Sequence, residues 1–149
     1  MSASTGKSAD RTDWSLGQLI KRAEQLLAAH KSEALREFDL TVPQHATLLG
    51  LSQSSGLSGA QLARLCGVTP QTMATILGNL EQKGWVEREP SEIHAKVLVT
   101  RLSRSGRAVL KKADGRVQGV EQRLAEGFGV RERGQLHGLL ERAVEVLER

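Results

Sequence analysis

The 149-residue sequence has no tyrosine and only one cysteine. Each shortage removes a class of chemistry. A single thiol cannot close an internal disulfide, which fits a reducing compartment. The four histidines, His30, His45, His94 and His137, stand at no metal-ligand spacing from the cysteine or from acidic residues, and no phosphate-binding glycine loop occurs. No set of nucleophile, base and orienting group can be assembled from what remains, so the expectation is a non-enzyme without metal or cofactor. No apolar run approaches the length of a membrane span. The first residues, MSASTGKSADRT, are small and polar without the apolar centre of a signal peptide. Residues 1–13 therefore read as a disordered arm, with Lys7 and Arg11 as its cations, on a cytoplasmic protein.

What is present is the composition of an ordinary globular chain, 39% hydrophobic and 26% charged, expected to form one domain over residues 14–149. Its net charge of +4 is unevenly placed. Residues 55–116 carry ten Lys/Arg against five Asp/Glu, while 1–54 balance six against six and 117–149 hold five basic against six acidic residues. The excess lies in the centre of the chain, where it predicts an anionic partner.

That centre contains SGAQLARLCGVTPQTMATILGNLEQK, residues 58–83. Ser58 is a candidate N-cap, Leu62, Ala63 and Leu65 line one apolar side, and Gly67 suits a left-handed helix end. A second helix restarts at Thr69, a capping hydroxyl, with Pro70 at the first helical position. Met73, Ile76, Leu77 and Leu80 recur at helical spacing and face inward, leaving Gln71, Thr72, Thr75 and Asn79 outward. So short a connection makes a helix-turn-helix, whose second helix can enter a major groove. The outward residues are uncharged hydrogen-bonding groups able to meet base edges or phosphates, Gln pairing bidentately with adenine. Taken alone the same pattern also describes a solvated helical hairpin.

After Gly84 a run at Trp85–Glu89, a break at Pro90-Ser91 and an alternating β-branched run from Lys96 to Leu102 read as strand, loop and strand. The loop Pro90–Ala95 is too long for a two-residue turn and should project as a finger. Its flanking cations Arg88, His94, Lys96 and Arg101 suit a minor groove or a phosphate backbone; the plain alternative is a solvated sheet edge. The fold class expected is mainly α with a small β-wing. A winged helix-turn-helix at about 40–102 is flanked by helices at about 14–38 and 103–149.

Leu16, Leu19, Ile20, Ala23, Leu26, Leu27, His30, Ala34 and Leu35 form an apolar stripe at helical period. Thr41 is a candidate cap for a short helix holding Ala46, Leu48, Leu49 and Leu51, and Ser103 or Ser105 for a long one after the wing. A break at Gly127-Phe128-Gly129 precedes a last helix with Leu136, Leu139, Leu140, Val144 and Leu147. A first helix of two dozen residues is about 35 Å long, more than the small winged unit can cover. Its stripe calls for a second copy, and a two-fold dimer would set two recognition helices about one DNA turn apart on a palindrome. A monomeric bundle is the alternative.

Three segments, LTVPQHATLLGL at 40–51, LSGAQLARLCGVTPQTMATILGNLEQKGWVER at 57–88 and VLVTRLSRSGRAVL at 97–110, together resemble the MarR (multiple antibiotic resistance regulator) family. The resemblance spans residues 14–147. It implies a homodimeric regulator of double-stranded DNA, most often a repressor, released by a small aromatic or phenolic effector or, in some members, by cysteine oxidation. It places Pro70, Gln71, Thr72, Ala74, Thr75 and Asn79 at recognition-helix positions, alongside the Thr69 cap, and Lys96 at or beside the family's wing arginine. Positions 75 and 79 are often arginine in the family, and the wing often carries Asp-x-Arg where this chain has His94-Ala95-Lys96. Lysine lacks arginine's planar fork, which predicts a weaker or differently placed minor-groove contact.

The resemblance further places His30, His45 and Leu49 near an effector cavity, where flanking helices meet the winged unit. Packing is the competing reading for both histidines, as it is for Trp14 and Trp85. Cys66 invites a redox-switch reading, opposed by a buried, inert thiol with Arg64 pointing outward. A further alternative is a winged helix that binds proteins and DNA only weakly, since no cation lies between Thr69 and Glu81.

Overall fold

The computed structural model describes the backbone from Ser8 and side chains from Ser15 onward. Lys7, the Arg11 side chain and the Trp14 ring lie outside the described residues. Helix α1 spans Ser8–Leu35, starting earlier than the expected point near Trp14. A single 3-10 turn, Arg36–Phe38, follows. Next come α2 (Val42–Ser52), strand β1 (Leu57–Ser58), α3 (Gly59–Cys66), α4 (Pro70–Gln82), strands β2 (Val86–Pro90) and β3 (Leu98–Leu102), α5 (Arg104–Glu126) and α6 (Val130–Leu147).

Local capping explains most of these boundaries. Thr41 accepts from the Gln44 N–H while Gln44 Oε1 takes the Thr41 N–H, and Ser58 and Gln61 repeat the arrangement at α3. Thr69 caps α4 and Ser103 caps α5, so of the two serines considered it is Ser103 that serves. Helix ends close with paired hydrogen bonds around a left-handed residue. At Gly67 (φ 66°) the Val68 N–H reaches the Ala63 carbonyl; at Gly84 (φ 75°) the Trp85 N–H reaches that of Leu80. Asp39, at φ 54°, closes the end of the first helical stretch the same way and is the one non-glycine with positive φ among the described residues. Lys83 holds it, bonding both its carbonyl (2.5 Å) and its carboxylate (3.2 Å).

The sheet has three antiparallel strands in the order β1-β3-β2. Leu57 pairs with Thr100, and Val86 with Leu102. The expected hairpin is present with shifted ends: β3 begins at Leu98, so Lys96 belongs to the connecting tip, and β2 runs to Pro90. Strand β1 had no counterpart in the sequence reading.

One core joins the winged unit to the flanking helices. Leu35 of α1, Leu48 and Leu51 of α2, Leu62 of α3, Met73, Leu77 and Leu80 of α4, and Leu110, Ala113 and Val117 of α5 are all buried in it. Gly106 lets α5 start there, because a Cβ at this position would stand 2.0 Å from the Trp85 carbonyl oxygen. Away from this core the apolar stripes of α1 and α6 stay uncovered: Leu16 is 58% exposed, Leu19 61% and Leu139 54%.

Candidate nucleic-acid interface

Helix α4 buries Met73, Ile76, Leu77 and Leu80, which turns Pro70, Gln71, Thr72, Ala74, Thr75 and Asn79 to solvent. Their polar groups are not equally free. The Thr69 hydroxyl accepts from the Thr72 N–H and donates to the Thr72 hydroxyl, and Thr75 donates to the Gln71 carbonyl one turn back. The amide heads of Gln71 and Asn79 have no side-chain partner among the described residues. These two groups, two turns apart on the helix, are the ones whose full donor and acceptor sets remain for base edges.

The wing's four flanking basic residues separate into two kinds. Arg101 donates through Nε to the Ser55 carbonyl (2.6 Å) and pairs with Glu89 (3.5 Å), tying the loop before β1 to β3. Arg88 is half-buried in register with Thr100, and neither its Nε nor the Thr100 hydroxyl has a partner. His94 and Lys96 are exposed at the tip.

Contrary to the expectation from the sequence, the positive charge of the central segment does not concentrate on α4 and the wing. Residues 70–102, which hold the recognition helix and the wing, carry four cations and four acids. The central excess belongs mainly to Arg104, Arg107, Lys111, Lys112 and Arg116 on α5. That helix starts where Ser103 bonds Trp85 and Gly84, at the base of the hairpin and the far end of α4. The segment's positive charge is therefore not centred on the exposed face of α4.

The expected effector residues do not share one cavity. His30 is exposed and lines a groove of about 580 Å³ between α1 and α5, with Glu33, Glu37, Arg116 and Arg123. His45 and Leu49 do not line it. His45 is 7% exposed, and its Nε2 lies 3.3 Å from an Asp114 carboxylate oxygen on α5. Burial holds its pKa below the ordinary 6.5, opposed by Asp114 and reinforced by the Lys31 charge. Leu49 packs against the core. The packing reading fits His45, and the Asp114 contact was missed, although Asp114 is the lone acid among residues 104–120 and sits beside buried Ala113. Trp85 likewise packs on the core, with the Lys83 ammonium 4.9 Å from its ring centre.

Cys66 is half-buried, less enclosed than the inert reading expects; its Sγ lies 3.8 Å from the Thr47 hydroxyl, and Arg64 is exposed. Among the described residues no group of three or more His, Cys, Asp or Glu could hold a metal ion, and no helix is long and apolar enough to cross a membrane.

Two capped helices in a tight pair, a three-stranded sheet and a projecting hairpin define a winged helix-turn-helix protein with long helices at both ends. The chain belongs to the MarR family, whose model matches residues 38–96. It is 37% identical over 130 residues, 87% of this chain and 94% of the relative, to the HTH-type transcriptional repressor Rv2887 of Mycobacterium tuberculosis. The crystal structure of that MarR family protein with p-aminosalicylic acid aligns with a TM-score of 0.70 at 37% identity, covering 86% of this chain and 97% of that one. A cysteine-to-serine mutant of MarR from E. coli, complexed with operator DNA, aligns with a TM-score of 0.80 at 26% identity, covering 86% of this chain and 92% of that one.

Proposed function

We propose that this protein is a dimeric transcriptional repressor that reads palindromic double-stranded DNA and is released by a small aromatic effector. One observation carries the reading: α4 is fixed by buried leucines on one side and presents the unpaired amides of Gln71 and Asn79 on the other. A rigid helix with free amides at its surface discriminates bases; Thr69, Thr72 and the backbone at the start of α4 serve phosphates. The uncovered stripes of α1 and α6 support a second copy, which would present two such helices to two half-sites. The relatives described above, one repressor crystallised with p-aminosalicylic acid and one bound to operator DNA, support both the ligand class and the nucleic-acid partner.

Arg88, His94, Lys96 and Arg101 divide accordingly. Lys96 and His94 contact backbone or minor groove, whereas Arg101 braces the wing. Arg88 underpins the hairpin from its core side. The effector site is placed in the groove at His30, beside the α2–α5 junction that His45 and Leu49 help to pack. No enzymatic step belongs to this reading.

The test is binding to a duplex selected from a random pool by the full-length protein. Gln71→Ala should alter which sequences are selected, and salicylate or p-aminosalicylate should weaken binding to the selected duplex. Identical selection by the variant and the wild type would remove the base-reading role from Gln71.

A further inference from the structure

Between Glu92 and Asp114 the chain holds six Lys/Arg and no acid. Lys96 and Arg101 belong to the hairpin; the other four, Arg104, Arg107, Lys111 and Lys112, lie in the first turns of α5. Arg104, Arg107 and Lys111 stand at i, i+3 and i+7, so they stack on one side of the helix, with Lys112 at its margin. All four are exposed, turned away from the buried Gly106, Leu110 and Ala113. None of them has an ion pair or a side-chain hydrogen bond among the described residues. Farther along the same helix the pattern reverses: Arg116 pairs with Glu37 (3.1 Å), and Glu121 takes Lys31 of α1.

Where α5 packs on α1 its charges are matched within the fold; where it leaves the hairpin they are not. Like charges one turn apart repel, and cations in a first turn oppose the helix dipole, so the arrangement costs the isolated helix stability. A polyanion laid along this face relieves both. The partner already proposed is one. Residues 70–102 carry four Lys/Arg against four Asp/Glu, so α4 and the wing supply little of the net attraction between phosphates and protein. From Arg104 to Lys111 the helix rises about 10 Å, the axial length of three phosphates on one strand.

We infer that Arg104, Arg107, Lys111 and Lys112 form a second, sequence-independent DNA-binding surface, which grips the phosphate backbone flanking the half-sites. Their charged heads release counterions there without touching a base, while discrimination stays with Gln71 and Asn79. This inference rests on the DNA-reading function proposed above and adds to it a longer stretch of engaged duplex and a source of salt dependence.

The experiment is fluorescence anisotropy of the full-length protein, across a range of salt concentrations, on two duplexes. One is the selected palindrome alone; the other extends it by about two helical turns of arbitrary sequence at each end. The wild type should bind the extended duplex about tenfold or more tighter at low salt, with a slope steeper by about three for each protomer that grips a flank. Arg104→Gln combined with Arg107→Gln and Lys111→Gln should bind the palindrome as the wild type does and gain nothing from the flanks. Arg104→Lys with Arg107→Lys, which keeps the charge, should retain the gain. The three side chains are exposed, so thermal unfolding of the variants should match that of the wild type. The inference is overturned if the wild type binds both duplexes equally, as a face that meets an acidic protein would allow, or if the triple glutamine variant keeps the gain. It is equally overturned if that variant loses the same factor on both duplexes, which would put α5 on the palindrome itself, or if the lysine variant loses the gain. With discrimination between selected and scrambled palindromes intact, each of these results removes only the α5 surface. If the wild type does not discriminate them, the DNA-reading function falls and takes the α5 surface with it.

Discussion

The winged unit and the terminal helices differ in how completely one chain satisfies them. In the winged unit each of α2, α3 and α4 has a side-chain N-cap, the α3 and α4 ends close on glycines, and the inward leucines are almost wholly buried. In α6 no residue is buried, and Val130 and Leu147 are more than four-fifths exposed. The first region is complete within one chain; the second leaves an apolar stripe that, on the proposed reading, a second copy covers. The difference teaches that DNA reading and assembly are separable here, joined through α5, which is buried where it meets α2 and bare where it approaches α6.

The most severe way to break this division is to charge the bare helix. Leu139→Glu combined with Leu140→Glu should leave the winged unit folded but yield monomers in sedimentation. Because the second half-site is then no longer an intramolecular event, affinity for the palindrome should fall by about 100-fold or more. A dimer that survives both substitutions would mean that α6 is not the interface.

Damage to the reading head should do the opposite. Gly106→Ala forces a methyl against the Trp85 carbonyl, so the cost should be about 3 kcal/mol or more, seen as a lowered denaturant midpoint. Gln71→Ala, which leaves the packing of α4 untouched, should remove about 1–3 kcal/mol of discrimination at one base pair per half-site while stability stays constant, measured by selection and melting together.

The smallest expected effect concerns the junction between the two regions. Burial depresses the His45 pKa in the folded state, so the unfolded chain takes up a proton first as pH falls. Stability is then fully present above pH 6.5 and declines below it. Urea unfolding at pH 7.5 and 5.5 should show the decline, and His45→Leu should flatten it. An equal decline in the variant would place the titrating group elsewhere. Asp114, Lys31 and the Lys31–Glu121 pair face the same junction and are unchanged by this substitution.

Much of the reading head was legible because its signals are local. Ser58 with Gln61, Gly67, and Thr69 with Pro70 act over a few residues, and each does in the fold what its chemistry suggests. What escaped depends on distance along the chain. Strand β1 is two residues long and exists because β3 pairs with it; the same pairing region ties Arg101 to Ser55, 46 residues away. No periodicity carries such information. The charge reading went astray for a related reason: counting along the sequence joined α5 to the wing, whereas the fold runs its cations from the hairpin base along α5 to Arg116, which pairs with Glu37 beside α1. The expected effector residues suffered likewise, since His30 and His45 both lie on or beside apolar helix faces in the sequence, but His30 is exposed in the groove between α1 and α5 whereas His45 is buried against Asp114.

On the proposed reading, the amides of Gln71 and Asn79 select DNA from a segment, residues 70–102, whose Lys/Arg and Asp/Glu balance. The most direct test of that reading is the affinity of the wild-type dimer for its selected palindrome and for a scrambled duplex, each measured at several salt concentrations. A wide affinity gap that persists as salt rises, with a shallow slope for the selected duplex, is the expected result. Equal affinities for the two duplexes, falling together steeply with salt, would contradict it.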